Sequence, residues 1–147
     1  CAQSKDSQNS FDTNALDTNV SDTNEPITED TSDFLPPCTP SEQSLLIPLA
    51  EHPELRALGA WKSISFPQEL IHLLVVHPAP KEWIAVWKYC SHGFCELEWS
   101  AIEGAIECPC HHSLFNTEGV VLVGPATEDI RSYSICEKDD VLYIETT

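Results

Sequence analysis

From Trp83 to Tyr89 the residues Trp83, Ala85, Trp87 and Tyr89 occupy every second position, the period of a β-strand with those side chains on one face. Glu69 to His77 is also rich in branched residues, and the turn-like Pro78-Ala79-Pro80-Lys81 separates the two runs. Further on, Ala105 to Glu107, Val120 to Val123, Ile130 to Cys136 and Val141 to Glu145 read as short strands. The breaks between them, Asn116 to Gly119, Gly124-Pro125 and Glu137 to Asp140, carry turn chemistry. Earlier, where the globular part begins near Leu45, Pro53 stands at a first-turn position and Gly59 at a C′ position, which predicts a short helix between them. Many short strands and little helix predict a small all-β sandwich or barrel. Two cysteine-bearing segments, Cys90 to Cys95 and Cys108 to Ser113, each follow directly after a strand and are therefore loops.

From Cys1 to about Pro37 the apolar pattern disappears, leaving Ser, Thr, Asn, Asp and Glu, which cannot offset the entropy of ordering. A disordered tail is expected. Asp-Thr-Asn recurs there at five-residue intervals from Asp12, Asp17 and Asp22, a period matching neither a helical solenoid nor a calcium-binding nonapeptide. It reads as a solvated spacer with a reach of roughly 30 to 35 Å before charge repulsion extends it. The expected organisation is an acidic linker over residues 1–40 and one globular domain over 41–147.

The formal net charge of −17 disfavours nucleic acid and anionic lipid surfaces and favours basic partners. The chain begins at Cys1 and contains no Met, as a processed product would. Its longest apolar run, Leu70 to Val76, is interrupted by His72 and is far short of the roughly 20 residues that span a bilayer, so a membrane anchor would have to be covalent. Seven cysteines imply an oxidising compartment or a metal.

Cys90 and His92 form a C-x-H pair, and Cys108 and His111 form a C-x-x-H pair. Two such loops side by side could make a tetrahedral zinc site or hold a [2Fe-2S] cluster with cysteines on one iron and histidines on the other. Zinc fingers usually place like ligands together, whereas here each loop supplies one of each, which favours the cluster. Cys95 and Cys110 are spare sulfurs, one per loop; a disulfide between them would clamp the loop tips.

Cys90-Ser91-His92-Gly93-Phe94-Cys95 and Cys108-Pro109-Cys110-His111-His112-Ser113, supported by Glu98-Trp99, Gly119 and Gly124-Pro125-Ala126, resemble the Rieske iron–sulfur proteins over roughly Leu49 to Thr147. The resemblance is to the disulfide-containing branch of cytochrome bc complexes and the arsenite oxidase small subunit. It implies that Cys90 and Cys108 bind the inner iron, that His92 and His111 bind the outer iron, and that Cys95 pairs with Cys110. It further implies that the Ser113 hydroxyl bonds a bridging sulfide and that Gly124-Pro125 belongs to a loop covering the cluster. Three departures stand out. Quinol-oxidising members usually carry Leu-Gly where this chain has Gly93-Phe94, commonly glycine where it has His112, and a potential-raising tyrosine where it has Phe115. A potential between those of the tyrosine-bearing proteins and the oxygenase ferredoxins is expected.

Cys1 resembles the lipid-bearing residue of a bacterial lipoprotein, and Ala2 leans towards outer-membrane sorting. Cys38 and Cys136 either pair, pinning the end of the tail to the sheet, or remain buried free thiols, and pairing is the expectation. Trp61, Trp83 and Trp87 are expected in the core; His52, His72 and His77 show no partner pattern. No nucleophile–base pair, proton-abstracting dyad or phosphate-binding glycine loop appears, so a complete enzyme is not supported. The expected function is electron transfer by a periplasm-facing, lipid-anchored Rieske subunit of a quinol-oxidising cytochrome bc-type complex, with cytochrome b- and c-type partners and His111 or His92 receiving the quinol proton. The alternatives are the relay small subunit of an arsenite-oxidase-like molybdenum oxidoreductase and a free-standing periplasmic carrier.

Overall fold

The computed structural model describes residues 37–146; the expected tail and Cys1 lie outside that range. The strands are β1 (Leu45–Pro48), β2 (Ala60–Phe66), β3 (Ile71–Ala79), β4 (Glu82–Trp87), β5 (Glu98–Ser100), β6 (Ala105–Glu107), β7 (Leu114–Phe115), β8 (Val121–Val123), β9 (Ser132–Tyr133), β10 (Ile135–Lys138) and β11 (Val141–Ile144). They form three sheets, ordered β1-β11-β10, β2-β3-β4-β9 and β5-β6-β7-β8. Every pairing is antiparallel.

Strands β3 and β4, in the middle of the β2-β3-β4-β9 sheet, are buried on both faces, which explains the unbroken apolar run in β3. Leu73 and Val75, with Ala85 and Tyr133, pack against Ile47, Leu142 and Ile144 of the first sheet. The alternate residues Leu74, Val76, Ile84 and Val86 pack against Ile106 and Phe115 of the third sheet. Strand period 2 thus assigns neighbouring residues of one strand to two cores. Pro78 lies within β3 where the pairing with β4 shifts register between Val76 and Ala79, so its missing N–H breaks no bond to β4.

Several local expectations are corrected. The short helix is a single 3-10 turn, Pro53–Arg56. The expected strand from Ile130 to Cys136 divides into β9 and β10, which join different sheets. Trp61 is 37% exposed rather than in the core, while Trp83 and Trp87 pack half-buried against it. Trp83 stacks on buried His77, centroids 4.1 Å apart, and donates to Glu137, so both residues have structural work. The strands β1, β2, β5 and β7 carry no expectation from the pattern; β2 alternates apolar with Lys and Ser too irregularly to declare itself.

Residues ahead of β1 are tied to the far end of the domain. Cys38 and Cys136 form a disulfide with a Cα–Cα distance of 5.4 Å. The Ser41 hydroxyl donates to Glu145 at 2.7 Å, and the Ser44 hydroxyl donates to the same carboxylate. These hydroxyl bonds hold the Glu145 carboxyl below the usual glutamate range, and the Arg56 guanidinium does the same for Asp140. Both groups therefore contribute stability above the ordinary carboxylate value of about 4, which is lost as pH falls through their lowered folded values. Thermal melts from pH 6 down to pH 2 are expected to show this loss, and Glu145→Gln is expected to flatten it.

Candidate metal centre

The two cysteine loops are the same turn made twice. In the first, Cys90 N–H donates to the Cys95 carbonyl at 2.8 Å and Phe94 N–H to the Cys90 carbonyl at 3.0 Å. In the second, Cys108 N–H donates to the Ser113 carbonyl and His112 N–H to the Cys108 carbonyl, both at 2.9 Å. Each turn closes five residues after its cysteine, and the fourth residue is left-handed: Phe94 at φ 56° and His112 at φ 59°. A side chain in that region costs about 1 kcal/mol, which glycine avoids. The resemblance places glycine at these two positions, so this chain retains the turn at the cost of strain. Sequence reading missed the repeat, although the equal spacing of Cys90 to Cys95 and Cys108 to Ser113 is its signal.

The loops present sulfur inside and nitrogen outside. Cys90 and Cys108 are 2% and 1% exposed and unbridged. Burial pushes the Cys108 thiol up, and the neighbouring Cys90 side chain adds to the shift. His92 and His111 are exposed, with ring centroids 4.9 Å apart and planes nearly perpendicular at 88°. Cys95 and Cys110 form a disulfide joining the loops, Cα–Cα 6.4 Å. The sulfurs of Cys95, Cys108 and Cys110 also lie within 4.8 Å of one another, but two of them are spent in that bond and offer no thiolate.

A third segment, 124–130, is stitched to both loops. Ser113 is fully buried, and its Oγ accepts Ala126 N–H at 2.9 Å. No acceptor for its own hydroxyl proton is found among the described residues. Ser91 Oγ donates to the Glu128 carbonyl at 2.5 Å. Ile130 N–H donates to the Gly119 carbonyl at 2.9 Å, and a Cβ on Gly119, whose φ is +84°, would stand 2.2 Å from the Ile130 oxygen. Gly119→Ala is therefore expected to destabilise the fold by about 3 kcal/mol through backbone clash and left-handed strain, read by denaturant unfolding.

Under the first loop, burial works against the charge of Lys88, but its bond to the Glu96 carboxylate at 3.0 Å and the adjacent Tyr89 outweigh this and raise its pKa. Leu97 N–H to the Lys88 carbonyl at 2.8 Å and the Tyr89–Glu96 bridge close the loop's base. Sequence reading gave no signal for this pair.

Two buried unbridged thiols, two paired exposed imidazoles and a buried hydroxyl with an uncommitted proton fit a cluster with cysteines on one iron and histidines on the other. The family model described as "Rieske [2Fe-2S] domain" matches residues 47–134. This chain belongs to the Rieske [2Fe-2S] domain family. Its cofactor is of the Rieske [2Fe-2S] type.

Among relatives of this Rieske protein, cytochrome b6-f complex iron-sulfur subunit 1 of Synechocystis is 29% identical over 96 residues, covering 65% of this chain and 52% of that subunit. Subunit 2 of the same organism is 38% identical over 58 residues, covering 39% of this chain and 32% of its own length. This chain thus matches about half or less of these relatives. A crystal structure of a cyanobacterial plasma membrane Rieske protein from Synechocystis superposes with a TM-score of 0.54 at 27% identity, covering 64% of this chain and 93% of that one. The ferredoxin of carbazole 1,9a-dioxygenase from Nocardioides aromaticivorans, at 19% identity and TM-score 0.55, shares the fold.

Proposed function

We propose that this Rieske protein is the electron-transfer subunit of a quinol-oxidising cytochrome bc-type complex. In this reading it is held at the periplasmic face of a bacterial membrane by lipid on Cys1, with residues 1–40 as a tether. The observation that carries it is the similarity to cytochrome b6-f iron-sulfur subunits, within the disulfide-containing branch that quinol-oxidising complexes share with the arsenite oxidase small subunit and that the Cys95–Cys110 bond marks. The b6-f iron-sulfur subunits among its relatives support the same reading. Cys90 and Cys108 would hold the inner iron and His92 and His111 the outer one, while the Ser113 proton would be donated to a bridging sulfide. The bound cluster supplies a one-electron couple. The exposed His92 and His111 rings are the groups placed to meet a quinol and take its proton, and the Cys95–Cys110 bond holds the loops that carry them.

Phe94 favours a second reading, the relay subunit of a molybdenum oxidoreductase. It puts an 84% exposed aromatic in the Gly93-Phe94 pair where quinol-oxidising members carry Leu-Gly. An EPR-monitored redox titration at several pH values separates the two. A pH-dependent midpoint in the upper half of the range of about −150 to +300 mV supports quinol oxidation, and one in the lower half supports the relay.

Phe115 is fully buried in β7 beside the second loop. Phe115→Tyr is expected to raise the midpoint on the order of 40 mV, equivalent to about 1 kcal/mol in a one-electron couple, by supplying a hydroxyl to a cysteine sulfur. An unchanged midpoint in the same titration would mean that no sulfur lies within its reach.

A further inference from the structure

We propose that Lys88 tunes the cluster: its ammonium is a fixed positive charge buried at the base of the first cysteine loop, where it favours the reduced state and raises the reduction potential. The inference rests on the cluster reading and adds to it a residue that ligates no metal and lies outside the loop motifs. Lys88 stands two residues before Cys90. Counting by two along the chain, Ile84, Val86, Lys88 and Cys90 form one row, and the other three all belong to the core that also takes in Cys108 and Phe115. A lysine therefore interrupts an apolar row that ends at a cluster ligand.

That lysine is 8% exposed, and among the described residues it is the one lysine or arginine that is buried. Burying an ammonium costs free energy unless it is paired, and an apolar side chain of similar volume is often as stable as a buried ion pair. Stability thus gives no reason for a lysine here, and its charge is the property to explain. The surroundings hold that charge in place. The ammonium donates to Glu96 Oε1 at 3.0 Å and lies 4.9 Å from the centre of the Tyr89 ring. Lys88 N–H donates to the His72 carbonyl at 3.0 Å, and the Lys88 carbonyl accepts Leu97 N–H at 2.8 Å. The partners of the ion pair differ in exposure, 10% for the Lys88 side chain against 57% for that of Glu96. Water screens the carboxylate, whereas the ammonium acts through the same low-dielectric interior that holds Cys90 and Cys108. Reduction adds one electron from the donor to the bound cluster. Lys88 makes and breaks no bond, and its charge stabilises the added negative one.

The test is an EPR-monitored redox titration of the cluster-loaded full chain at a single pH, with denaturant unfolding of the same variants. Lys88→Met, which keeps the side-chain length and removes the charge, is expected to lower the equilibrium constant for one-electron reduction at least threefold, without loss of stability. In a one-electron couple that is about 28 mV, at 59 mV per tenfold. Lys88→Arg, which keeps the charge, is expected to stay within twofold of the parent. Glu96→Gln, which removes the negative partner but still offers an acceptor, is expected to raise the constant. Opposite signs from the two sides of one contact separate a charge effect from a structural one, because breaking a merely structural contact disturbs the loop alike from either side. Lys62→Met, the same change at an exposed ion pair of β2, is expected to move the constant less than 1.5-fold. A constant that does not fall in Lys88→Met, that does not rise in Glu96→Gln, or that falls as far in Lys62→Met would overturn the proposal. If Lys88→Met loads no cluster, Glu96→Gln decides: a higher constant supports the proposal, and an equal or lower one overturns it. A parent chain without any iron–sulfur EPR signal would instead end the cluster reading itself.

Discussion

Cys136→Ser is expected to lower the free energy of unfolding by about 4 kcal/mol. The Cys38–Cys136 bond spans 98 residues and so closes nearly the whole described domain into one loop. Loop-closure entropy for a crosslink of that length is about 4.7 kcal/mol, and removing native disulfides commonly costs 2–5 kcal/mol. The Cys95–Cys110 bond spans only 15 residues, for which the same reasoning gives about 3 kcal/mol, so the outer bond is expected to matter more to global stability. Denaturant unfolding of Cys136→Ser, alongside the Cys38→Ser/Cys136→Ser pair to remove effects of a stray thiol, checks the ranking. A loss under 1 kcal/mol would mean that the bonds of Ser41 and Ser44 to Glu145 already hold the leading segment in place.

Cys108→Ser is expected to abolish the reducible iron–sulfur signal, whereas Cys110→Ser is expected to retain a cluster in a less stable protein. The distinction matters because Cys108 and Cys110 lie two residues apart, and their sulfurs fall in one group with that of Cys95. Burial separates their roles. Cys108 is 1% exposed and unbridged, while Cys110 is exposed and bonded across to the first loop. A ligand must be free to lose its proton to the metal, and a disulfide sulfur has none to lose. Visible absorbance and EPR of the two purified variants report the outcome. Loss of the cluster in Cys110→Ser with retention in Cys108→Ser would reverse the assignment.

Much of the centre was legible because its chemistry is local. Cys90 with His92 and Cys108 with His111 each lie within one turn of chain, and the spare cysteines announced the loop-to-loop bond that the structure contains. Cys38 and Cys136 were legible by elimination, since two leftover cysteines in such a chain are expected to pair. The long apolar strands β3 and β4 were legible from their run of branched residues, but their burial on two faces was not, because it depends on which sheets cover them. The division between β9 and β10 depends on tertiary pairing that no local pattern carries. The stitches made by Ser91, Ser113 and Gly119 join segments up to 37 residues apart through backbone atoms, which leave no residue-type signature. Glycine preference at the two left-handed turn positions was visible only as a departure from the resemblance, and the φ values of Phe94 and His112 supply its cause.

The central claim is that Cys90, Cys108, His92 and His111 together hold one [2Fe-2S] cluster. Pulsed EPR of the reduced full chain, with iron and sulfide analysis of the same sample, tests it most directly. The account predicts two irons and two sulfides per chain, with hyperfine coupling to two histidine nitrogens, one of which is lost in His92→Cys. Zinc in place of iron, or an iron–sulfur signal without nitrogen coupling, would contradict it.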